Sequence, residues 1–246
     1  MTTYERHFDF AQVFNFRDLG GYETADGREV RWRRLFRTAE HQRMSPEEAT
    51  HLFEEIEFRT VIDFRSEGEA GDARGFGALV REGVTRQHFP MGDANSKHTA
   101  RAAGAWVPDY VQMLEAYPQH WTDAYTLLAD IEAYPTVFHC VTGKDRTGVF
   151  AALVLGSLGV DDETVLNDYT LSQVAMDTLV ERLRHRGVIK PGEAPNPALG
   201  VSREAMADAV AHLHARYGGA RGYLGSHGIG VDVFDAVEAH LLEARP

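Results

Sequence analysis

A short apolar strand, a polar loop and an apolar helix follow one another between Thr136 and Val160. The segment from Thr136 to His139 has the composition of a buried strand, and no charged residue occurs from Thr147 to Val160. The helix is predicted to begin at about Arg146. Such a strand–loop–helix unit is typical of α/β proteins, in which helices cover a mainly parallel sheet. The uncharged stretch is too short to cross a bilayer, which takes about 20 residues.

Strand and helix patterns also interleave in the preceding part of the chain. Ser45, Pro46 and Glu48 form an N-terminal capping signal, which predicts a helix from there onward. Apolar residues predict strands at 59–64 and, more weakly, at 84–89. This alternation predicts an α/β fold with a mainly parallel central sheet flanked by helices.

The last third of the chain carries helical patterns almost to its end. Residues 160–225 are expected to add helices near the site, in a position to act as a lid. The proline-rich segment 190–200 is interpreted as a surface loop between helices, with a domain linker as the alternative. We therefore treat residues 1–246 as a single domain.

Composition and net charge argue against some classes of binding partner. Hydrophobic residues make up 43% and charged residues 25%, which is ordinary globular usage. The net charge of −12 is opposite to that of a nucleic-acid binder, and it argues against tight binding to anionic membranes. We expect neither a nucleic-acid partner nor stable membrane association. The segment from Met1 to Phe10 lacks the apolar core of a signal peptide, which predicts a cytoplasmic location or leaderless secretion. The oligomeric state stays open.

The loop between strand and helix has the features of a phosphate cup. Ligands of open α/β sheets bind outside the carboxyl ends of strands, where this loop lies. Backbone N–H groups of a loop that opens a helix can form an anion nest, and glycine permits the left-handed turn that this requires. A planar guanidinium adds a fork that binds two phosphate oxygens. Phosphate contacts are therefore predicted from Val141, Thr142, Gly143, Lys144, Asp145 and Arg146.

Cys140 would lie at the floor of this cup and is the only cysteine, so an internal disulfide and a multi-cysteine zinc site are excluded. The helix N-terminus, the N–H groups and Arg146 all favour its thiolate, which is a nucleophile aimed at phosphorus. Thr147 is predicted to donate a hydrogen bond that eases the later departure of sulfur. The alternative interpretation of Cys140 is a small buried hydrophobe, but the surrounding motif favours the nucleophile.

Several motifs occur in the order found in one known family. The run from His139 to Gly148, His-Cys-Val-Thr-Gly-Lys-Asp-Arg-Thr-Gly, resembles the phosphate loop of bacterial atypical cysteine-dependent tyrosine phosphatases. Further segments that resemble the same family are 15–22, 35–38, 61–66 followed by Glu69, and 217–229. Thr38 stands where serine is more usual and Phe64 where leucine is more usual. The resemblance implies the α/β fold of the cysteine phosphatases.

The resemblance also implies an activity, namely hydrolysis of phosphate monoesters through a phosphocysteine at Cys140, with no metal or other cofactor. Protein phosphotyrosine is the expected substrate, and family members often accept phosphoserine, phosphothreonine and phosphoinositides as well. Lys144 and Asp145 are shared with lipid-directed members, and a lysine at the cup rim would suit a multiply charged head group. A phosphoinositide phosphatase and a pseudophosphatase that binds phosphoproteins without turnover remain the alternatives.

Two aspartates are candidates for the general acid that protonates the leaving oxygen. Asp93 follows Gly92 on a loop after a predicted strand, and the resemblance favours it because related phosphatases place an acid on a comparable loop. Asp145 lies between Lys144 and Arg146, which suits a role in positioning the loop or the hydrolytic water.

Four further residues are expected to support the cup. His139 precedes the nucleophile and is expected to help set the loop. Arg17 and Arg65 each follow a phenylalanine in a strand-like segment, and strand ends bring such side chains near the cup. Asp63 belongs to the same motif as Arg65. An ordinary salt bridge from Arg65 to Asp63 or Glu69 is the alternative.

Overall fold

The computed structural model describes residues 4–71, 75–92 and 108–245. Five strands form the main sheet, and they are β1 (Arg17–Asp18), β3 (Leu35–Thr38), β4 (Thr60–Asp63), β5 (Thr85–His88) and β6 (Thr136–His139). Their spatial order is β1-β3-β6-β4-β5. β1 is antiparallel to β3, and the other neighbours are parallel, so the predicted mainly parallel sheet is confirmed. A separate two-stranded sheet pairs β2 (Arg28–Val30) with β7 (Leu242–Ala244).

Ten α-helices accompany the sheets in the described part of the chain. They are α1 (Pro46–Glu55), α2 (Glu67–Ala70), α3 (Tyr110–Ala116), α4 (Pro118–Leu127), α5 (Asp145–Ser157), α6 (Asp162–Thr170), α7 (Ser172–His185), α8 (Arg203–Tyr217), α9 (Ala220–Ser226) and α10 (Val231–Leu241). None of these described helices is long and apolar enough to span a membrane.

Alternation along the strands divides the core between the two faces of the sheet. Val61 and Val137 are buried on the face that α1 covers through Leu52. Ile62 and Phe138 are buried on the other face, against a larger cluster that includes residues of α3 to α6 and α8 to α10. The central strands β4 and β6 are thus buried on both sides, as in sheets with helices on both faces.

Two sequence signals place elements around the site. Ser45 caps α1 as predicted, since its hydroxyl accepts from the N–H of Glu48 while the Glu48 carboxylate accepts from the N–H of Ser45. The apolar residues after Thr147 bury α5 nearly all round, directly behind the end of β6. The N-terminus of α5 is therefore held rigidly at the carboxyl edge of the sheet.

The end of the chain differs from the prediction of continuous helix. Residues 242–244 leave α10 and pair antiparallel with β2, with Val30 opposite Leu242. A segment of three residues carries too little periodicity to separate a strand from a helix end. Its partner lies more than 200 positions away in the sequence, and the pairing is therefore a tertiary effect.

Candidate active site

The loop from Cys140 to Lys144 joins β6 to α5 and curls around the N-terminus of that helix. Gly143 has φ of 65°. A Cβ there would lie 2.5 Å from the backbone carbon and oxygen of Thr38, so glycine is required for both conformation and space. Asn15 Nδ2 donates to the carbonyl oxygens of Thr142 and Gly143, at 3.2 and 2.9 Å. These bonds fix two carbonyls of the loop, and contacts of its N–H groups with an anion stay a prediction.

Arg146, at the first turn of α5, is fixed by a carboxylate and two carbonyls. Nη1 and Nη2 donate to the two carboxylate oxygens of Glu69, at 2.6 and 3.1 Å. Nη1 also lies within hydrogen-bond distance of the carbonyls of Phe64 and Met91. Nε is buried and has no hydrogen-bond partner among the described residues. Burial opposes the charge, yet the Cys140 thiolate and Glu69 raise the pKa of Arg146 above its ordinary value.

Cys140 itself is buried at 1% exposure, at the start of the loop. Thr147 Oγ1 is buried as well and forms no hydrogen bond within the described part of the chain. Its bond to the sulfur therefore stays a prediction.

Lys144 and Asp145 belong to a buried polar cluster behind the loop. Lys144 Nζ donates to Asp145 Oδ1 at 2.7 Å, and the Tyr110 hydroxyl donates to the same oxygen at 2.6 Å. The Tyr110 and Tyr169 hydroxyls are 2.6 Å apart. Lys144 is fully buried, so it is not a solvated lysine at the rim. Burial alone would lower the pKa of Lys144, but the Asp145 carboxylate outweighs it and raises that pKa.

Arg17 and Arg37 connect the loop to α6 through one carboxylate. Both guanidiniums form ion pairs with Asp168, at 3.0 and 2.6 Å, and all three side chains are buried. Arg37 Nη2 also donates to the Gly143 carbonyl at 2.9 Å. Burial opposes ionisation of Asp168, but the two arginines hold its pKa well below the ordinary range. Arg17 Nη1 also donates to Asn15 Oδ1, and Asn15 donates to the loop carbonyls, so Arg17 lies two hydrogen bonds from the loop.

Asp63, Arg65 and His139 form a second buried cluster at the ends of β4 and β6. Arg65 Nη2 and Arg86 Nη2 each lie 2.8 Å from Asp63 Oδ2. His139 Nε2 is 3.6 Å from Asp63 Oδ1. Burial lowers the pKa of His139 to about 4 despite this carboxylate, so the imidazole is neutral at pH 7. Arg65 pairs with Asp63, while Glu69 pairs with Arg146 instead.

Four residues at the site were not predicted from the sequence, or were predicted only in part. Glu69 entered only as part of a motif and as an alternative salt-bridge partner of Arg65, although the spacing from Ser66 is that of a capping box. The structure shows both uses, since one Glu69 oxygen accepts from the Ser66 N–H and from Arg146. Asp168, Tyr110 and Tyr169 lie in ordinary helical patterns, and nothing in their spacing distinguishes them.

Asp93 lies outside the described residues, just after Met91 and Gly92. Within the described ranges, no group of three or more histidine, cysteine, aspartate or glutamate side chains is arranged to hold a metal ion.

Comparison with known proteins adds a family and several relatives. Residues 8–243 match the tyrosine phosphatase family. A tyrosine-protein phosphatase of Nostoc commune is 32% identical over 142 residues, which are 55% of this chain and 48% of that protein. A putative tyrosine-protein phosphatase of Cupriavidus necator is 32% identical over 173 residues, 65% of this chain and 60% of its own. The matches thus span about half to three-fifths of these two relatives.

A more distant similarity extends over most of the chain. The triple specificity protein phosphatase PtpB of Mycobacterium tuberculosis is 27% identical over 263 residues, 88% of this chain and 92% of that protein. Among solved structures, a cysteine-to-serine variant of P. aeruginosa TpbA in complex with phosphotyrosine matches 83% of this chain and 91% of its own. The TM-score is 0.39 and the sequence identity 17%.

Proposed function

Because the chain belongs to the tyrosine phosphatase family, we propose that it hydrolyses phosphate monoesters, chiefly protein phosphotyrosine, through a phosphocysteine at Cys140. The reaction uses no cofactor in this proposal. Lys144, Asp145 and Arg146 would bind the phosphate together with the loop N–H groups, and they would hold the neighbouring groups in position.

The observation that carries the proposal is the state of Arg146. Glu69 and two carbonyls immobilise its Nη atoms, while the buried Nε has no partner among the described residues. A buried donor without an acceptor costs about 1–3 kcal/mol, and Arg146 keeps one in the first turn of α5, directly after the loop that begins at Cys140. A phosphate oxygen supplies that acceptor with the charge that the guanidinium requires.

The proposed chemistry has two balanced steps. The Cys140 thiolate attacks phosphorus, so that the P–S bond forms while the P–O bond to the substrate breaks. The leaving oxygen takes its proton from a general acid, for which we propose Asp93. Water then attacks the phosphocysteine and gives a proton to the Asp93 carboxylate, so that the new P–O bond forms while the P–S bond breaks, inorganic phosphate is released, and the thiolate and the acid are both regenerated. Arg146 and the loop N–H groups stabilise the negative charge on the phosphoryl oxygens in both transition states.

Phosphoinositides are the second candidate substrate, because Lys144 and Arg146 place two cations beside Cys140. However, Lys144 is buried and donates to Asp145, which leaves it poorly placed for a second phosphate group at the mouth. We therefore favour phosphotyrosine.

The test is Cys140→Ser, assayed with p-nitrophenyl phosphate and a phosphotyrosine peptide. We expect turnover to disappear, while calorimetry still detects peptide binding because Arg146 and the loop N–H groups remain. Arg146→Lys is expected to lose binding as well, since lysine cannot replace the planar fork. Activity above a few per cent of wild type in Cys140→Ser would exclude the nucleophile. Binding without turnover by the wild type would identify a pseudophosphatase.

A further inference from the structure

A pocket of about 220 Å³ lies beside the outer face of the phosphate loop. Val141 and Thr142 of the loop form part of its wall, and Phe14, Met176 and Leu179 form an apolar part opposite them. The volume is below the roughly 300–1,000 Å³ of pockets that enclose a drug-sized ligand. The pocket therefore suits a single side chain that extends from a substrate already bound in the cup.

Three arginines line the same pocket. Arg182 is held in place, since it donates to the Ala11 carbonyl and its guanidinium lies 4.5 Å from the Phe14 ring centroid. Arg43 and Arg186 are exposed and form no ion pair within the described part of the chain. The pocket thus has an apolar interior and two uncompensated cations.

Arg43 and Arg186 differ from other unpaired arginines of this acidic protein because both line the same pocket. Several exposed or half-buried arginines elsewhere face carboxylates, as in Arg28–Glu238 at 2.8 Å and Arg203–Glu163 at 2.6 Å, while others such as Arg81 and Arg184 form no ion pair within the described ranges. Glu40 also lines the pocket, but its carboxylate lies 3.9 Å from the buried Arg65. With a net charge of −12 the chain has acids in excess, yet none pairs with Arg43 or Arg186 in the described structure. The local charge is complementary to an anionic ligand.

We propose that this pocket binds the residues next to the phosphotyrosine of an acidic phosphopeptide. A carboxylate of the peptide pairs with Arg43 and Arg186, and an adjoining apolar group enters the pocket. Val141 and Thr142 follow Cys140 directly and also line the pocket, so the recognised acid lies close to the phosphotyrosine in the peptide sequence. The inference rests on the proposed function and adds its substrate class. Apolar walls and a small volume favour a peptide over a polyphosphorylated lipid head group.

The test compares pairs of phosphotyrosine peptides that differ by one Glu-to-Gln change at each flanking position. For the wild type we expect the acidic peptide to have the higher kcat/KM, mainly through KM. Arg43→Gln and Arg186→Gln should each reduce the acidic-to-neutral ratio by about two- to fivefold, the range of exposed ion pairs. Arg184→Gln is the matched control, because Arg184 is an exposed residue of the last turn of α7 that does not line the pocket.

Each outcome decides the matter. An equal loss of the ratio in Arg184→Gln would assign the preference to the general field and overturn the pocket. If Arg43→Gln or Arg186→Gln impairs the hydrolysis of phosphoinositide vesicles and leaves the acidic-to-neutral peptide ratio unchanged, the pocket binds a lipid and the peptide assignment is overturned. If the wild type hydrolyses p-nitrophenyl phosphate but shows a ratio near one, only this inference fails. If it hydrolyses neither, the proposed function fails.

Discussion

Asp145 is placed where it could contact the reacting phosphate, yet its Oδ1 accepts two hydrogen bonds. Lys144 Nζ and the Tyr110 hydroxyl both donate to that oxygen, and Tyr169 completes the cluster. Two donors on one oxygen match a fixed acceptor better than a group that delivers a proton. Asp145 therefore suits the positioning of the loop or of the hydrolytic water, and Asp93 stays our proposed general acid.

The general acid can be identified from pH profiles with an alkyl phosphate, whose leaving alkoxide depends strongly on protonation. We expect Asp93→Asn to lose the high-pH limb of kcat/KM and to reduce it roughly 10²-fold or more. Asp145→Asn should keep that limb. An aryl phosphate serves as the control substrate, because its phenolate leaves more easily and the loss in Asp93→Asn should be smaller. An unchanged profile in Asp93→Asn, with the limb lost in Asp145→Asn, would reverse the assignment.

For single residues, the sequence is informative where the groups that act together are neighbours in the chain. The residues from Cys140 to Arg146 are contiguous, so their loop and its charge could be predicted together. Glu69 and Asp168 act on that loop from 77 residues before Arg146 and 131 residues after Arg37. Their partners become neighbours only through the sheet. The capping-box spacing of Glu69 indicates a helix start and not a contact with Arg146, and Asp168 has no distinctive local pattern.

Among the elements, α6 is the helix whose contacts with the sheet continue to the phosphate loop. Its Asp168 receives Arg17 from β1 and Arg37 from β3, and Arg37 continues to the Gly143 carbonyl. The Tyr22 hydroxyl adds a third donor to Asp168 at 3.0 Å. The Asp168 carboxylate thus forms ion pairs with two fully buried guanidinium groups and connects α6 to the phosphate loop.

Removing the charge of the Asp168 carboxylate should lower the free energy of unfolding. Asp168→Asn leaves two buried guanidiniums without an anion, and the loss expected for breaking a buried pair is about 3–5 kcal/mol. Urea unfolding gives the stability, and hydrolysis of p-nitrophenyl phosphate by the remaining folded protein should fall as well. Asp162→Asn is the control on the same helix, since Asp162 is exposed and pairs only with the exposed His214 among described residues. Its cost should stay within about 1 kcal/mol. Equal effects of the two variants would contradict the role of Asp168.

Elements with strong local signals were predictable, and those formed by distant pairing were not. The capping box starts α1 at Pro46, and the apolar segment 136–139 forms β6. β7 exists because Leu242 meets Val30 of a distant strand. The antiparallel direction of β1 likewise depends on its two-residue pairing with β3, which no local pattern specifies.

On the scale of the whole molecule, two buried histidines tie stability to pH. The rings of His41 and His139 are 4.7 Å apart between centroids, and both side chains are almost completely buried. Burial lowers the pKa of His139 to about 4, and burial together with His139 lowers the pKa of His41 well below its ordinary value. The folded protein therefore excludes two protons that its unfolded chain binds near pH 6.5. Asp18 acts in the opposite direction, because burial raises its pKa to about 6.

The sign of the pH dependence follows from these three groups. As the pH falls from 6.5 towards 4, the unfolded chain gains two histidine protons, whereas the folded chain gains one at Asp18. Burial lowers the pKa of His7 as well, so the unfolded state holds an excess of at least about one proton, and stability falls by at least about 1.4 kcal/mol per pH unit. Urea unfolding between pH 6.5 and 5 should show this loss. His41→Gln removes one histidine proton and should reduce the slope by about 1.4 kcal/mol per pH unit, whereas His51→Gln, at a side chain 80% exposed, should leave it unchanged. A slope that is the same in His41→Gln as in the wild type would show that His41 accepts a proton in the folded state.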